Sequence, residues 1–431
     1  MADPLTIFAE TDFRNQHRAF GIRHADRRLP MHILGKTGVG KSTLLQNLVA
    51  QDLRNGHGLC VIDPHGDLVR SILDYVPPVR TGEVVYFNPA DRDFPIGFNI
   101  LESVDPSLRP LVASHVISVF KHIWADSWGP RLEFIFHNAV LALLDVEGST
   151  LLGIPRLLAD KTFRMRVLAQ VRDPVVRNFW LQEYENYNPE FQKEAIAPIQ
   201  NKVGQFLTSA PIRNIVGQVK SKMEMGFIMD QGRILLCDLA KGRVGEDKAS
   251  LLGSLLVTKL FLAALRRTDQ PEEERRDFYL FIDECQNLAT TILAPILSEA
   301  RKYRLNLVIS HQYLGQLDPE IKQAMLGNVG TLVSFRLGAE DAFELAREFA
   351  PEVTAQDLEN TDKHQVYLKL AVDGLTSRPF SARTLPPAIP SVHEQNRETI
   401  IRVSREKYAM RREVIEEKIT RWLAGSTGQQ K

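Results

Sequence analysis

Cysteine is scarce in this chain: three in 431 residues, at Cys60, Cys237 and Cys285. So few thiols exclude a disulfide framework. Each lies in or beside an apolar run, where a buried, reduced thiol is expected. Neither C-x-x-C nor H-E-x-x-H occurs, so the common zinc signatures are missing. Charge of one sign is lacking too. Lys+Arg and Asp+Glu both number 53, for a net charge of zero. No global basic excess points to nucleic acid, and any such surface must be local. No apolar run reaches the roughly 18 residues of a membrane-spanning helix. The opening MADPLTIFAETDFRNQ has no basic region leading into an apolar one, so a signal peptide is not expected. The chain is therefore expected to be soluble and cytoplasmic, reaching the inner face of a membrane only through a partner. Internal repeats and low-complexity tracts are absent as well.

What is present reads as an ordinary globular protein. Apolar residues make up 44% and charged residues 25%, enough for a large core in about two or three domains. Residues 31–100 read as strand, loop, helix, strand, strand. MHILG enters a glycine-rich loop, Lys41–Leu53 has helical periodicity, and GLCVIDP and EVVYFNP are apolar runs stopped by proline. Continuous apolar strands alternating with helices predict a mostly parallel sheet covered on both faces, an α/β fold. From about Ser103 to Gly226 helical periodicity takes over, as in RLEFIFHNAVLALLD. Strand-like runs resume at RILLCDL, FYLFIDE, LNLVISH and TLVSFRL, and HQVYLKLAVDG with RPFSARTLP predicts a hairpin at the sheet edge. The expected organisation is an α/β domain over 1–102 and 227–395, interrupted by an all-helical insertion over 103–226. It ends in a single amphipathic helix and tail over 396–431. Tyr408, Ile415, Ile419 and Trp422 share one face of that helix, and the closing GSTGQQK reads as disordered.

Gly35-Lys36-Thr37-Gly38-Val39-Gly40-Lys41-Ser42, followed by Thr43, matches G-x-x-x-x-G-K-[ST] between an apolar strand and a helix. Gly35, Gly38 and Gly40 permit the backbone to wrap a phosphate, and the helix N-terminus adds its free N–H groups. Lys41 is expected to neutralise the β- and γ-phosphates of ATP, and Ser42 to ligate Mg²⁺. FYLFIDE predicts a buried strand whose end presents Asp283 to the same Mg²⁺, with Glu284 placed to deprotonate the attacking water. A solvated pair of strand-end acids is the plainer alternative, and Asp63 in VIDPHGD is a competitor for the metal. Gln312, ending LNLVISHQ, is a candidate for sensing the γ-phosphate or positioning the water, or a surface glutamine.

These motifs together resemble the HerA/FtsK branch of P-loop motors, and within it the conjugative type IV coupling proteins of the TraG/TraD kind. The likeness runs from about Phe20 to Leu385. It rests on FGIRHADRRLPMHILGKTGVGKST, VIDPHGDL, YFNPADRDFPIGFNIL, WGPRLEFIFHNAVLALL, LAKGRVGEDKASLLGSLL, FYLFIDECQNL, SHQYLGQL and FRLGAEDA. The resemblance implies a RecA-like fold with an inserted all-α domain. It also implies a homohexameric ring with ATP between subunits, movement of DNA through the pore, and Gln312 as the family's glutamine. A relaxase or secretion channel is the partner it suggests. This sequence departs from membrane-anchored coupling proteins in having no N-terminal transmembrane helices. That leaves room for a HerA-like translocase in DNA-end processing, or for an ATP-switched receptor that hands protein cargo to a channel.

A ring needs an arginine acting on the transferring phosphoryl group. Arg336 is the first candidate, with Arg131 and Arg304 behind it, and a surface charge is the plainer reading of each. For DNA, the loop 240–248 carries Lys241, Arg243 and Lys248 but also Glu246 and Asp247, so a solvated loop remains the simpler reading. The basic C-terminal residues Arg402, Arg405, Lys407, Arg411 and Arg412 can touch DNA, face a neighbouring subunit or line a plain surface helix. His115 and His122 share a helix face with no third metal ligand, and with Trp124 and Trp128 they read as packing residues.

Overall fold

A computed structural model describes residues 5–12, 17–102, 104–288, 292–390 and 395–425. Most of the closing GSTGQQK lies outside them. The chain forms two compact units: Met1–Phe87 with Met225–Leu239 and Leu260–Val403, and Asn88–Glu224 with Ala240–Lys259 and Ser404–Lys431.

The first unit is built on a sheet of eleven strands. In chain order they are β1 (Leu5–Thr11), β2 (Ala19–Arg23), β3 (Met31–Leu34), β4 (Gly58–Asp63), β5 (Val84–Phe87), β6 (Ile234–Asp238), β7 (Phe278–Ile282), β8 (Leu305–His311), β9 (Thr331–Ser334) and β10 (Gln365–Lys369), with β13 (Phe380–Thr384). The two-residue strands β11 (Ala371–Val372) and β12 (Leu375–Thr376) form a separate hairpin. The spatial order is β2-β1-β13-β10-β9-β3-β8-β7-β4-β6-β5. From β9 to β5 every pairing is parallel, and β10, β13, β1 and β2 extend the sheet antiparallel. Helices that cover both faces leave no polar alternation in the parallel strands, and β3, β4, β6, β7 and β8 are buried at every position. This is the expected α/β architecture.

Two expectations are corrected. The β10–β13 hairpin is interior, because β1 pairs with β13 and β2 closes the edge. Neither added strand is buried throughout: three of the seven positions in β1 and one of the five in β2 are buried, so they lack the apolar run that marks the parallel strands. The C-terminal stretch is two helices, Gln395–Tyr408 and Arg412–Leu423, not one. Between them Ala409 bridges to Ile96, Met410 N donates to Pro95 O, and Arg412 N donates to Asp93 O at 3.0 Å. Backbone pairing there replaces a helical turn, and Arg411 takes extended angles as the N-cap.

In the second unit the elements from Arg109 to Val216 are helical. Ile415 and Ile419 are buried, as their shared face requires. Among the described residues one segment, Glu246–Asp269, is long and apolar enough to cross a membrane by composition, and 72% of its apolar 18-residue window is buried in the protein, as in a core helix.

Below β3, Arg27 and Asp52 form an ion pair with side chains 1% and 0% exposed. Two hydrogen bonds of 2.5 and 2.8 Å join them, Thr6 Oγ1 accepts a third, and the guanidinium lies 4.0 Å from the Tyr279 ring centroid. Removing one partner leaves a buried charge alone. Asp52→Ala is expected to cost about 3–5 kcal/mol, read as a lower denaturant midpoint. Arg27→Met/Asp52→Leu, which removes both charges, should recover most of that loss.

Candidate active site

The loop after β3 is shaped by its glycines. Gly38 and Gly40 have φ of +80° and +126°, where a side chain is strained. A Cβ on Gly35 would meet Phe335 Cβ at 2.6 Å. The loop is fastened on several sides. Lys36 N donates to Arg336 O at 3.0 Å, Gly35 N to His311 O at 3.4 Å, and His364 N to Val39 O at 3.1 Å. Helix α1 (Lys41–Arg54) then starts with Gly40 at its N-cap. Lys36, Thr37, Gly38 and Ser42 are exposed, Thr43 is half-buried, and Val39 packs inward. Lys41 is buried and its Nζ donates to Gly35 O at 2.6 Å and Lys36 O at 3.0 Å. Burial pushes its pKa down, opposed by the carboxylates of Glu284 and Asp283.

Those carboxylates come from the end of β7, two strands away, with β8 between. Asp283 and Glu284 are both buried. Asp283 N donates to Ile62 O at 3.0 Å, and Asp283 Oδ1 accepts from Ser310 Oγ and from Glu284 N. Burial first, then the like charges of Asp63 and Glu284, push the Asp283 carboxyl up to about 6. The Ser310 hydrogen bond and the Lys41 ammonium oppose the shift. Glu284 has φ +49°, a left-handed conformation that costs a non-glycine residue about 1–2 kcal/mol. Gln312 Nε2 donates to Glu284 Oε1 at 2.9 Å and Oε2 at 3.0 Å. Gln286 Nε2 also donates to Glu284. Lys41, Asp283, Glu284 and Gln312, chosen from separate motifs, thus meet at the carboxyl edge of the parallel strands.

Other candidates fall differently. Asp63 ends β4 nearby, but its carboxylate accepts from His65 N (2.8 Å), Leu68 N (2.8 Å) and Val69 N (3.2 Å), anchoring the start of helix α2 (Asp67–Ile72). Arg336 is exposed, and its carbonyl holds the glycine loop of its own chain. Arg304 precedes β8, at the opposite edge of the sheet, beside Glu272 and Asp277. Arg131 lies in the helical unit, over the Phe191 ring. In the 240–248 loop, Lys241–Val244 forms a short helix and Lys241 Nζ lies 3.5 Å from Glu246. The three cysteines are free and buried, and burial of His115 lowers its pKa to about 4. Among the described residues no three His, Cys, Asp or Glu side chains are grouped to hold a metal.

The sequence reading missed three groups here. Ser310 holds Asp283. His32 and His311 pair beneath the loop, Nε2 to Nδ1 at 2.9 Å, and burial lowers the His32 pKa to about 4. Asp238, ending β6, is fully buried and accepts from Arg70 and Tyr86 at 2.9 Å each. The run Ser310-His311-Gln312, three polar residues closing an apolar strand, and Asp238 at the end of ILLCD carried a signal; His32, inside MHIL, carried none.

A glycine loop between a central parallel strand and a helix, facing strand-end acids across one intervening strand, defines a RecA-like P-loop NTPase fold. The chain belongs to the family described as helicase HerA, central domain, whose model matches residues 30–256. Its fold is similar to that of the plasmid coupling protein TrwB in complex with ADP and Mg²⁺. There the TM-score is 0.62 at 17% identity, over 92% of this chain and 98% of that one. The unbound form of the bacterial conjugative coupling protein TrwB aligns with a TM-score of 0.61 at 17% identity, over 86% and 87% of the two chains. VirB4 of Thermoanaerobacter pseudethanolicus aligns with a TM-score of 0.56 at 14% identity, over 90% and 98%. No curated protein matches the sequence.

Asp283 titrates at about 6 in the fold against an ordinary 3.8, so folding takes up a proton between these values. The ligand-free protein loses stability as pH rises through that window and keeps the deficit above it. Asp283→Asn is therefore expected to stabilise the ligand-free chain at pH 8 by about 3 kcal/mol. The gain should shrink towards pH 4, as thermal melts at the two pH values will read.

Proposed function

We propose that this chain is an ATP-hydrolysing motor that moves DNA, or a DNA–protein complex, as a conjugative coupling protein does. The observation that carries the hydrolytic part is the hydrogen-bonded array of Gln312, Glu284 and Asp283 facing Lys41. The loop backbone and Lys41 bind the triphosphate. Ser42 and Asp283 would hold Mg²⁺, whose charge would offset the burial and the neighbouring Asp63 and Glu284 charges that keep Asp283 from ionising. A site with one or two protein oxygens suits Mg²⁺, which takes its other ligands from phosphates and water. The ion would supply charge neutralisation at the phosphates. Glu284 orients and deprotonates the attacking water, and Gln312 fixes the Glu284 carboxylate by bonding both its oxygens. The strain at Glu284 supports this role, since such backbone costs gather where function needs a fixed direction. Arg336, exposed beside the loop, is the first choice for the arginine that a neighbouring subunit presents to the transferring phosphoryl group.

The finer reading draws on the family and on the shape shared with TrwB and VirB4. It includes a homohexamer, DNA in the pore, and a relaxase or channel partner at the inner face of a membrane. TrwB structures also hold ATP and GTP analogues. The family assignment itself favours a second reading, a HerA-like translocase in DNA-end processing.

Lys41→Ala is expected to abolish nucleotide binding. Glu284→Gln should bind ATP as the wild type does while turnover falls about 100-fold or more. ATPase rates with single- and double-stranded DNA separate a DNA motor from a cargo receptor. Robust basal turnover that no DNA stimulates would remove the motor.

A further inference from the structure

β8 lies between β3, which enters the nucleotide loop, and β7, which ends in the acids. Its last residues reach both ways. Ser310 and Gln312 bond Asp283 and Glu284 on the β7 side. His311, between them, turns to β3. Its Nδ1 lies 2.9 Å from His32 Nε2, and the two rings stack 4.7 Å apart at 7°. The His311 carbonyl also accepts from Gly35 N, the first residue of the loop. Both imidazoles are fully buried. Their outer nitrogens, His32 Nδ1 and His311 Nε2, have no hydrogen-bond partner among the described residues. Unpartnered buried polar atoms cost stability, and an apolar pair of the same shape would avoid that cost. Core stability therefore does not account for an imidazole at either position.

We propose that His32 and His311 are positioning residues for hydrolysis, their hydrogen bond fixing the strand that carries the loop against the strand whose Gln312 holds Glu284. The backbone register already sets Leu34 beside His311. The side-chain bond adds a second tie one turn of the pleat deeper and resists shear between the strands. The tie keeps the water-activating carboxylate in place over the bound triphosphate. This proposal rests on the ATPase reading above.

The test compares the full chain with Lys41→Ala, His32→Leu/His311→Leu and His311→Asn in three measurements: melting temperature, equilibrium binding of a fluorescent ATP analogue with Mg²⁺, and steady-state turnover. The double leucine variant is expected to melt at or above the wild-type temperature and to bind nucleotide normally. Its kcat should fall about 100-fold, the cost of a misplacement near 1 Å. His311→Asn, which sets an amide where Nδ1 stood, should recover most of that turnover. A double variant that unfolds, or one that turns over at the wild-type rate, overturns the proposal. A wild-type chain that binds nucleotide no better than Lys41→Ala, or does not hydrolyse it, instead removes the ATPase reading itself.

Discussion

The hydrogen bonds from Gln312 to both oxygens of Glu284 are the interaction on which the reading of this site depends. They exist because one strand stands between the loop strand and the acid strand. Were β3 and β7 adjacent, Lys41 and the acids would still approach, but the end of β8 would not lie between them to hold the glutamate. The strand order therefore does chemical work. It brings the loop, the acids and a separate polar group to one edge, each from its own strand, and the ladders and side-chain bonds on both sides of β8 hold the three in one arrangement.

Much of this was legible in the sequence because parallel strands covered on both faces must be apolar throughout. MHIL, GLCVID, ILLCD, FYLFI and LNLVISH announce themselves without any alternation to decode, and glycine after the first and polar residues at or just past the ends of the others mark the functional edge. Strands without that requirement were opaque. β1 and β2 are only partly buried, so their residues look like an ordinary polar terminus. The break at Ala409–Arg411 was hidden for a related reason. Helical periodicity continues across it, and only the backbone pairing with Asp93, Pro95 and Ile96, some 300 residues earlier in the chain, interrupts it. The His32–His311 pair could not be read either, since two histidines 279 positions apart acquire meaning only from the β3–β8 register.

The acid edge shows function and stability pulling apart. Asp63, Asp238, Asp283 and Glu284 all end or follow parallel strands and are buried. Burial raises the pKa of Asp283 and Asp238, and the charge of Asp63 adds to both shifts. A core selected for stability alone would not gather four carboxylates there. Backbone N–H groups satisfy Asp63, Arg70 and Tyr86 serve Asp238, and Ser310 serves Asp283. What local bonding leaves uncompensated is negative charge facing Lys41, and a divalent cation with a triphosphate would complete that balance.

The neutral net charge bears on the proposed substrate. A chain with 53 basic and 53 acidic residues has little long-range field to draw a polyanion. In the C-terminal helices, where basic residues cluster, Arg405 pairs with Asp91, Arg412 with Asp93 and Glu413, and Arg421 with Glu417. A basic charge already paired with a carboxylate releases fewer counterions from a phosphate backbone, so this cluster is a weaker DNA contact than its composition suggests. If the chain moves DNA, its grip must come from a few unpaired cations repeated around an assembly rather than from one basic face. Repetition supplies what a neutral subunit lacks: weak phosphate contacts, each modest alone, add along a strand when identical subunits present them in register. A motor of this kind would hold DNA firmly only when assembled and release it when taken apart.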